Sequence, residues 1–170
     1  MIISTAQTKP VAGNIAENIG QHLELIALAT HSNSDVIVFP ELSITGYEPV
    51  LAKELATTSE DARFDIFQSI ADKNKITIII GCPIKNENDI HIGSIIFQPN
   101  AERKTYLKKY LFHTETAYFK EKDTLTTFTI KGQTVAPAIC YEISVKEHQE
   151  CAYSNKAELY LASVVEDEKL

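Results

Sequence analysis

One stretch constrains the fold more than any other: Asp35-Val36-Ile37-Val38-Phe39, an almost entirely apolar run that stops at Pro40-Glu41. A run this short and this apolar is typical of a strand buried on both faces, as in sheets covered by helices. Before it, apolar side chains recur at helical spacing from Ile15 to about Thr30, and Asn14 is a suitable N-cap. A helix followed by a doubly buried strand indicates α/β layering.

The same alternation continues along the chain. A second helix is predicted over residues 60–74, where one face carries Arg63, Ile66, Phe67, Ile70 and Ala71. A second buried strand is predicted over 76–81, and after Cys82-Pro83 the pattern changes to hairpins, 92–97 with 102–108 and 125–130 with 133–139. A helix over 144–155, a strand over 158–164 and an acidic tail over 166–170 follow. We expect a mixed sheet or two packed sheets in a single domain over residues 1–170.

Composition and charge exclude several classes of protein. Hydrophobic residues make up 44% of the 170-residue chain, which is enough for one domain with a core. The net charge is -7 and the lysines are scattered among acidic residues, so we expect neither nucleic acid nor an anionic membrane as a partner. The sequence shows no secretory leader pattern and no run long enough to span a membrane. The expected location is therefore the cytoplasm.

The cysteines and histidines show neither a disulfide framework nor the spacing of metal ligands. Cys82, Cys140 and Cys151 are odd in number and lack CxxC spacing, which predicts reduced thiols. The five histidines are expected at the surface or in packing. No metal and no cofactor is predicted, and we expect Cys82 and Cys151 to be structural.

Cys140 differs because it lies between a predicted buried strand, 134–139, and the helix predicted from Ser144. Such a turn can present a thiol near a helix N-terminus, where backbone N–H groups favour a thiolate and a developing oxyanion. The alternative is an inert cysteine that packs as a small hydrophobe. Glu41 and Lys108 follow two other predicted strands. Strand ends of this kind are where active sites of α/β sheets tend to lie.

Three motifs favour the functional interpretation. Phe39-Pro40-Glu41-Leu42 with Thr45-Gly46-Tyr47 resembles the glutamate motif of the nitrilase, or carbon-nitrogen hydrolase, superfamily. Tyr106-Leu107-Lys108-Lys109-Tyr110-Leu111 resembles its lysine motif, and Ile139-Cys140-Tyr141-Glu142 resembles its cysteine motif. The motifs occur in the order that the family has, and the resemblance extends from residue 1 to about residue 164. Three motifs in order are far more specific than any one of them.

Further positions add to this resemblance or depart from it. Glu115 resembles the additional glutamate often found near the lysine of the family. Tyr110 stands where the lysine motif usually has histidine, and Lys156 stands where the family usually has glycine before Ala157. The fold implied is an α-β-β-α sandwich of the nitrilase type, incomplete at the C-terminal end because family members continue beyond the length of this chain.

The resemblance also implies roles for the site residues. Glu41 would be the base for the Cys140 nucleophile, and Lys108 would stabilise the oxyanion with the backbone N–H of Tyr141. Glu115 would hold the Lys108 ammonium or orient the substrate. The remaining candidates for substrate binding or support of the site are Tyr47, Tyr141 and Glu142.

The function implied is hydrolysis of a non-peptide carbon-nitrogen bond in a small amide, carbamoyl or ω-amide substrate, through a cysteine thioester. One alternative is a catalytically inactive, truncated protein or partner subunit, and a weaker one is the glutaminase component of a synthetase. A homo-oligomer, dimer or higher, is expected through residues 144–155. There the stripe Val145, His148 and Ala152 fits either a subunit contact or the domain's own core.

Overall fold

Two packed β-sheets form the centre of the protein in the computed structural model, which describes residues 1–165. The first sheet, in spatial order, has β1 (Ile3–Thr5), β2 (Val36–Val38), β3 (Thr77–Asn86), β4 (Asp89–Phe97) and β5 (Lys104–Leu107). The second has β6 (Phe128–Ile130), β7 (Gln133–Ile139) and β8 (Leu159–Ser163). Strands β1, β2 and β3 are parallel, as are β7 and β8, and the other neighbours are antiparallel. The acidic tail predicted over 166–170 lies outside the described residues.

Alternate side chains of the central strands face two different cores. On one face Ile78 packs in a cluster with Phe67 of a covering helix. On the other face Ile79 belongs to a second cluster, which contains Val135 of the second sheet and Ala152 of the helix that follows it. The layers therefore run helices, sheet, sheet, helix, which confirms the predicted α-β-β-α sandwich.

Within residues 1–165, four α-helices cover these sheets: α1 (Ile15–His31), α2 (Ala52–Leu55), α3 (Asp65–Asn74) and α4 (Lys146–Ser154). The Asn14 side chain caps α1 as predicted, since its Oδ1 accepts a hydrogen bond from the backbone N–H of Glu17 at 3.3 Å. Among residues 1–165, no helix has the length and apolar character that crossing a bilayer requires.

The second predicted helix is shorter than expected, and its predicted apolar face is partly wrong. Residues 62–64 form a 3-10 turn before α3, because Asp61 caps that turn by accepting the Arg63 N–H at 2.9 Å. The Arg63 side chain then pairs with Asp61, and Ile66 is 41% exposed. Phe64, outside the predicted stripe, is fully buried instead.

Strand β3 continues past its predicted end at Gly81 and pairs with β4 from Ile78 opposite Phe97 to Asn86 opposite Asp89. The sequence pattern misses this hairpin because Cys82-Pro83 looks like a break. Proline lacks a backbone donor, but the nitrogen and carbonyl of one strand residue point to the same side, and the Pro83 oxygen accepts the Thr57 N–H at 3.0 Å, so the missing donor is not on the β4 side. The predicted hairpins β4–β5 and β6–β7 are confirmed.

The helix after Cys140 begins later than predicted. Residues Cys140–Ser144 form a 3-10 turn, and α4 starts only at Lys146. Along the stripe proposed for subunit contact, His148 and Ala152 are buried within this domain. The stripe therefore faces the domain's own core, which is the second of the two alternatives, and the expected homo-oligomer stays a prediction.

Candidate active site

The ends of three strands bring ionisable side chains to one place, as the sequence predicts. Glu41 lies three residues after β2, Lys108 directly follows β5 and Cys140 directly follows β7. The ammonium of Lys108 donates to Oε1 of Glu41 at 2.7 Å, and both side chains are completely buried. Cys140 and Glu41 line the same cavity.

The turn that carries Glu41 depends on a close approach to β3. Leu42 has a positive φ of 51°, which turns the chain sharply after the strand. Gly81 lies against this turn so closely that a Cβ there would be 2.4 Å from the Pro40 oxygen and 2.6 Å from the Leu42 nitrogen. Only glycine lets the two backbones pack this tightly, so Gly81 sets the position of the Glu41 turn.

Glu115 holds the other side of the Lys108 ammonium. Both of its carboxylate oxygens accept from Lys108 Nζ at 2.9 Å. The backbone N–H of Phe112 and the hydroxyl of Tyr47 also donate to Glu115, at 2.7 and 3.1 Å. Of the two roles expected for Glu115, the structure shows the first, fixing Lys108.

Two carboxylates surround one buried cation, and this determines the charges. Burial alone lowers the pKa of Lys108, but Glu41 and Glu115 outweigh it and raise that pKa, so Lys108 is an ammonium. Burial raises the pKa of Glu41, with Glu115 adding to the shift and Lys108 opposing it. A carboxylate whose proton affinity is raised in this way is a better base than a solvated glutamate.

Cys140 sits at the start of the 3-10 turn with a positive φ of 46°, a conformation that non-glycine residues adopt rarely and often at functional sites. Its thiol pKa is raised to about 11 by burial and by the charge of Glu41, against the lowering effect of Lys108. Burial and the Glu41 charge therefore oppose the thiolate that the start of such a turn favours.

The second carboxylate oxygen of Glu41 completes this arrangement. Within residues 1–165, Oε2 is buried and has no conventional hydrogen-bond partner. The Cys140 thiol approaches the carboxylate more loosely, closely enough that each group changes the pKa of the other. Glu41 thus binds Lys108 through one oxygen and has its other oxygen free to take a proton.

Glu142 was expected at the substrate or in support of the site, and the structure assigns it to support. It is completely buried and is not among the residues that line the cavity in the described part of the chain. Its carboxylate accepts the backbone N–H of Lys109 at 2.6 Å and that of Ile139 at 2.7 Å. These residues adjoin Lys108 and Cys140, so Glu142 ties the two strand ends together.

A cavity of about 370 Å³ opens at the thiol, a size suited to a small organic molecule. Its described lining residues are Glu41, Tyr47, Phe112, Glu115, Cys140, Tyr141 and Val165. Tyr47 and Tyr141 were predicted at the site, whereas Phe112 and Val165 were missed because no motif contains them. The Phe112 and Tyr141 rings meet edge to face at 5.5 Å and form an aromatic wall.

Fold and site together define a nitrilase-type α/β protein in which a cysteine adjoins a buried glutamate-lysine pair. The family model described as carbon-nitrogen hydrolase matches residues 2–169, and the chain belongs to this family. It is similar to a glutamine-dependent NAD(+) synthetase of Thermotoga maritima, 26% identical over 83% of this chain and 25% of that protein. It is also similar to a protein N-terminal amidase of Saccharomyces cerevisiae, 27% identical over 64% of this chain and 26% of that protein.

The fold recurs in solved structures. An amidase from Nesterenkonia sp. AN1 superimposes with a TM-score of 0.85 at 20% identity, over 98% of this chain and 68% of that one. A glutamine-dependent NAD+ synthetase from Acinetobacter baumannii gives 0.83 at 20% identity, over 99% of this chain and 33% of that one. The chain thus spans about a quarter of the length of the curated relatives described above.

Proposed function

We propose that this site hydrolyses a small, uncharged amide through a thioester on Cys140. One observation carries the proposal: Lys108 is clamped between Glu41 and Glu115, and Glu41 and Cys140 line the same cavity. A nucleophile, a base and a fixed positive charge are the three groups that cysteine-dependent acyl transfer needs.

In the first half of the reaction, Glu41 takes the thiol proton as Cys140 sulfur attacks the amide carbon. The raised thiol pKa means that this proton transfer accompanies the attack instead of preceding it. Lys108 and the backbone N–H of Tyr141, in the first turn of the 3-10 segment, stabilise the oxyanion. Protonated Glu41 then gives its proton to the departing nitrogen, the carbon-nitrogen bond breaks and the thioester remains.

In the second half, water replaces the released amine. Glu41, again ionised, takes a proton from the water while the water oxygen attacks the thioester carbon. The same oxyanion donors stabilise the second tetrahedral intermediate. The carbon-sulfur bond breaks, the sulfur regains its proton from Glu41, and the carboxylic acid leaves.

The cavity lining supports an uncharged acyl group. Three aromatic side chains and Val165 contribute most of its walls, and its ionisable groups include the carboxylates of Glu41 and Glu115. In the described part of the chain the charged groups that line the cavity are the carboxylates of Glu41 and Glu115, which disfavours an anionic group on the substrate. Structures of the Nesterenkonia amidase include one with butyramide and one with acrylamide added to its active-site cysteine. Short aliphatic amides are therefore the first substrates to try.

The test measures ammonia release from butyramide, propionamide, benzamide and L-glutamine, with intact-mass detection of an acyl adduct. We expect the short uncharged amides to be hydrolysed, and Cys140→Ala and Glu41→Gln to abolish turnover. Cys151→Ser, which changes a half-buried cysteine outside the cavity, serves as the matched control and should be fully active. Ammonia release that survives in Cys140→Ala, or a lack of turnover and adduct with all four amides, would refute the proposal.

A second candidate is a glutaminase unit that supplies ammonia to a synthetase. Similarity to glutamine-dependent NAD(+) synthetases, of which the chain covers 25 to 30%, favours it. The chemistry at Cys140 would be the same, and only the substrate would differ. Preference for L-glutamine over butyramide in the ammonia assay would select this candidate.

The non-catalytic alternative and the homo-oligomer both stay predictions. A non-catalytic partner subunit would leave Cys140 without an acyl adduct under conditions in which the fold is intact.

The oligomeric state is measured by sedimentation velocity over a range of protein concentrations. A surface other than the buried stripe of α4 would have to form the contact.

A further inference from the structure

A chain of hydrogen bonds leads from Glu142 to the surface of the second sheet. The Tyr106 hydroxyl lies 2.8 Å from both carboxylate oxygens of Glu142 and 2.9 Å from Nε2 of His148. Nδ1 of His148 lies 2.7 Å from the hydroxyl of Tyr160, which is 37% exposed. The mechanism above uses none of Tyr106, His148 and Tyr160.

The bonding around Glu142 fixes the direction of this chain. Its Oε1 accepts backbone N–H groups from Lys109 at 2.6 Å and Tyr110 at 3.2 Å, and Oε2 accepts one from Ile139 at 2.7 Å. Three backbone donors on two oxygens favour the ionised carboxylate, although burial raises the pKa of Glu142. An ionised carboxylate only accepts, so the single hydroxyl proton of Tyr106 points to Glu142.

The tautomer of His148 follows from that direction. With its proton committed to Glu142, the Tyr106 oxygen can only accept from the imidazole, so Nε2 of His148 carries the hydrogen. Nδ1 is then an acceptor, and the Tyr160 hydroxyl donates to it. Protonated Glu142 would reverse every bond in this chain and place the imidazole hydrogen on Nδ1.

We propose that His148, as the neutral Nε2–H tautomer held by Tyr160, is a positioning residue. Through Tyr106 it keeps Glu142 in the orientation that binds the backbone N–H groups of Lys109 and Ile139. Those residues flank Lys108 and Cys140. The hydrogen-bond relay from Tyr160 through His148 and Tyr106 to Glu142 therefore sets the distance between the Lys108 ammonium and the Cys140 sulfur. The catalytic consequence rests on the proposed hydrolase function, whereas the hydrogen-bond relay itself does not.

The surroundings of His148 agree with a neutral ring. Tyr106 and Tyr110 of the lysine segment and Tyr160 of β8 place their rings against it and keep it from solvent. Glu142 Oε2, 3.6 Å from Nε2, by itself favours the charged ring. Burial and the positive charge of Lys109 lower the pKa of His148 to about 4. The ring therefore stays uncharged at neutral pH, as the relay requires.

Nitrogen-15 NMR of the imidazole in the full 170-residue chain tests the relay without a substrate. We expect the Nε2–H tautomer for His148 at pH 7. A protonated ring would overturn the proposal because Nδ1 could no longer accept from the Tyr160 hydroxyl, and the Nδ1–H tautomer would overturn it because Tyr106 would have to donate to Nε2 instead of Glu142.

Two substitutions test the positioning role. Tyr160→Phe removes one hydroxyl at the half-exposed end of the relay, and Tyr153→Phe removes a hydroxyl from an 86% exposed tyrosine as the control. We expect Tyr160→Phe to speed amide exchange at Lys109 and Ile139 by roughly tenfold, the factor that corresponds to one neutral hydrogen bond. In the hydrolase assay, kcat of Tyr160→Phe should fall by a similar factor with KM unchanged. His148→Gln, which keeps a hydrogen-bond donor, should retain more activity than His148→Leu, which has none. Exchange at Lys109 and Ile139 that matches the control would overturn the positioning role, even if no amide substrate is found.

Discussion

Lys108 Nζ lies 2.7 Å from Oε1 of Glu41, with both side chains removed from solvent. The same ammonium contacts Glu115, so two buried carboxylates share one cation and the cluster carries a net negative charge. Such a cluster is stable only while its cation is present, because unpaired charges in a low-dielectric interior are costly. The arrangement that the proposed chemistry needs is therefore also a condition for folding.

Replacing Lys108 by methionine should destabilise the protein strongly. The substitution keeps the side-chain volume but leaves Glu41 and Glu115 without their cation, at an expected cost of about 3 to 5 kcal/mol. Urea denaturation gives the free energy of unfolding. Lys120→Met, at an exposed lysine, is the control and should change it by less than about 0.5 kcal/mol. Equal stabilities for the two variants would show that the buried cluster contributes nothing to the fold.

The thiol of Cys140 should titrate near pH 11, and Glu41→Gln should lower its pKa. Removing the carboxylate charge leaves Lys108 as the nearest ion, and each unit by which the pKa falls raises the thiolate fraction about tenfold. The measurement is the rate of iodoacetamide alkylation of Cys140 against pH, resolved from Cys82 and Cys151 by peptide mass spectrometry.

The rate of amide hydrolysis should fall in Glu41→Gln although the thiolate fraction of Cys140 rises, because the substitution removes the base. Glu147→Gln, at an exposed glutamate beyond the site, should leave both the thiol titration and hydrolysis unchanged. A higher Cys140 pKa in Glu41→Gln than in the wild type would contradict the electrostatic account of the resting thiol.

Glycine-to-alanine substitutions at two positions should have opposite effects. At Gly81 a Cβ would lie 2.4 Å from the Pro40 oxygen, so the turn that carries Glu41 must shift. We expect a loss of roughly 2 kcal/mol or more of stability, and lower activity from misplacement of the base. At Gly20, inside α1, a Cβ meets nothing within 4 Å, and alanine should stabilise by roughly 0.5 to 1 kcal/mol. Circular dichroism melts of both variants check this, and a Gly81→Ala protein as stable as the wild type would be inconsistent with the close approach.

His22 makes folding stability depend on pH. Its ring is buried against Phe39, with Nδ1 2.7 Å from the Asn18 carbonyl and Nε2 2.9 Å from the Ser43 hydroxyl. Burial lowers its pKa from 6.5 to about 4, against the raising effect of the Asn18 carbonyl. Because the folded-state pKa lies below the unfolded one, this contribution to stability is complete above pH 6.5 and is lost as the pH falls toward 4.

The loss amounts to roughly 3 kcal/mol if only His22 titrates. His22→Gln cannot be protonated, so the free energy of unfolding of this variant should fall less between pH 6.5 and pH 4. His31→Gln, at an exposed histidine, is the control and should follow the wild-type pH dependence. Parallel curves for wild type and His22→Gln would rule out this source of acid sensitivity.

Most of the site was predictable because its residues occur at strand ends within recognisable motifs. Glu41 and Cys140 each follow a run whose apolar character predicts a strand, Lys108 ends a strand of a predicted hairpin, and strand ends of one sandwich can converge. The motifs identify which of these residues matter. Periodicity also predicts α/β layering and the longest helix, since burial on one face is what generates the repeat, whereas the sandwich is implied by the family resemblance.

The remaining features depend on three-dimensional packing that local sequence does not encode. Nothing near His148 indicates that its two nitrogens join tyrosines from different strands, and Phe112 carries no motif that predicts a place in the cavity wall. The raised pKa of the Cys140 thiol was not predicted either, because the balance between burial, Glu41 and Lys108 depends on three-dimensional packing. Pro83 hid a hairpin because its missing donor looks like a strand end, although that position faces Thr57 and not β4.

Lys156, the departure from the glycine usual in the family, should cost stability. It follows α4 with a positive φ of 57°. Two backbone hydrogen bonds close the helix end: the Lys156 N–H donates to the Tyr153 carbonyl at 2.9 Å, and the Ala157 N–H donates to the Ala152 carbonyl at 3.1 Å. Glycine adopts this left-handed position without a Cβ penalty, so Lys156→Gly should stabilise the protein by roughly 0.5 to 1 kcal/mol. Lys73→Gly makes the same exchange at an exposed, helical position of α3 and should instead destabilise by about 1 kcal/mol. Denaturant titrations of the two variants give their free energies of unfolding. If both variants lose stability, the Lys156 side chain contributes more to stability than its backbone strain costs.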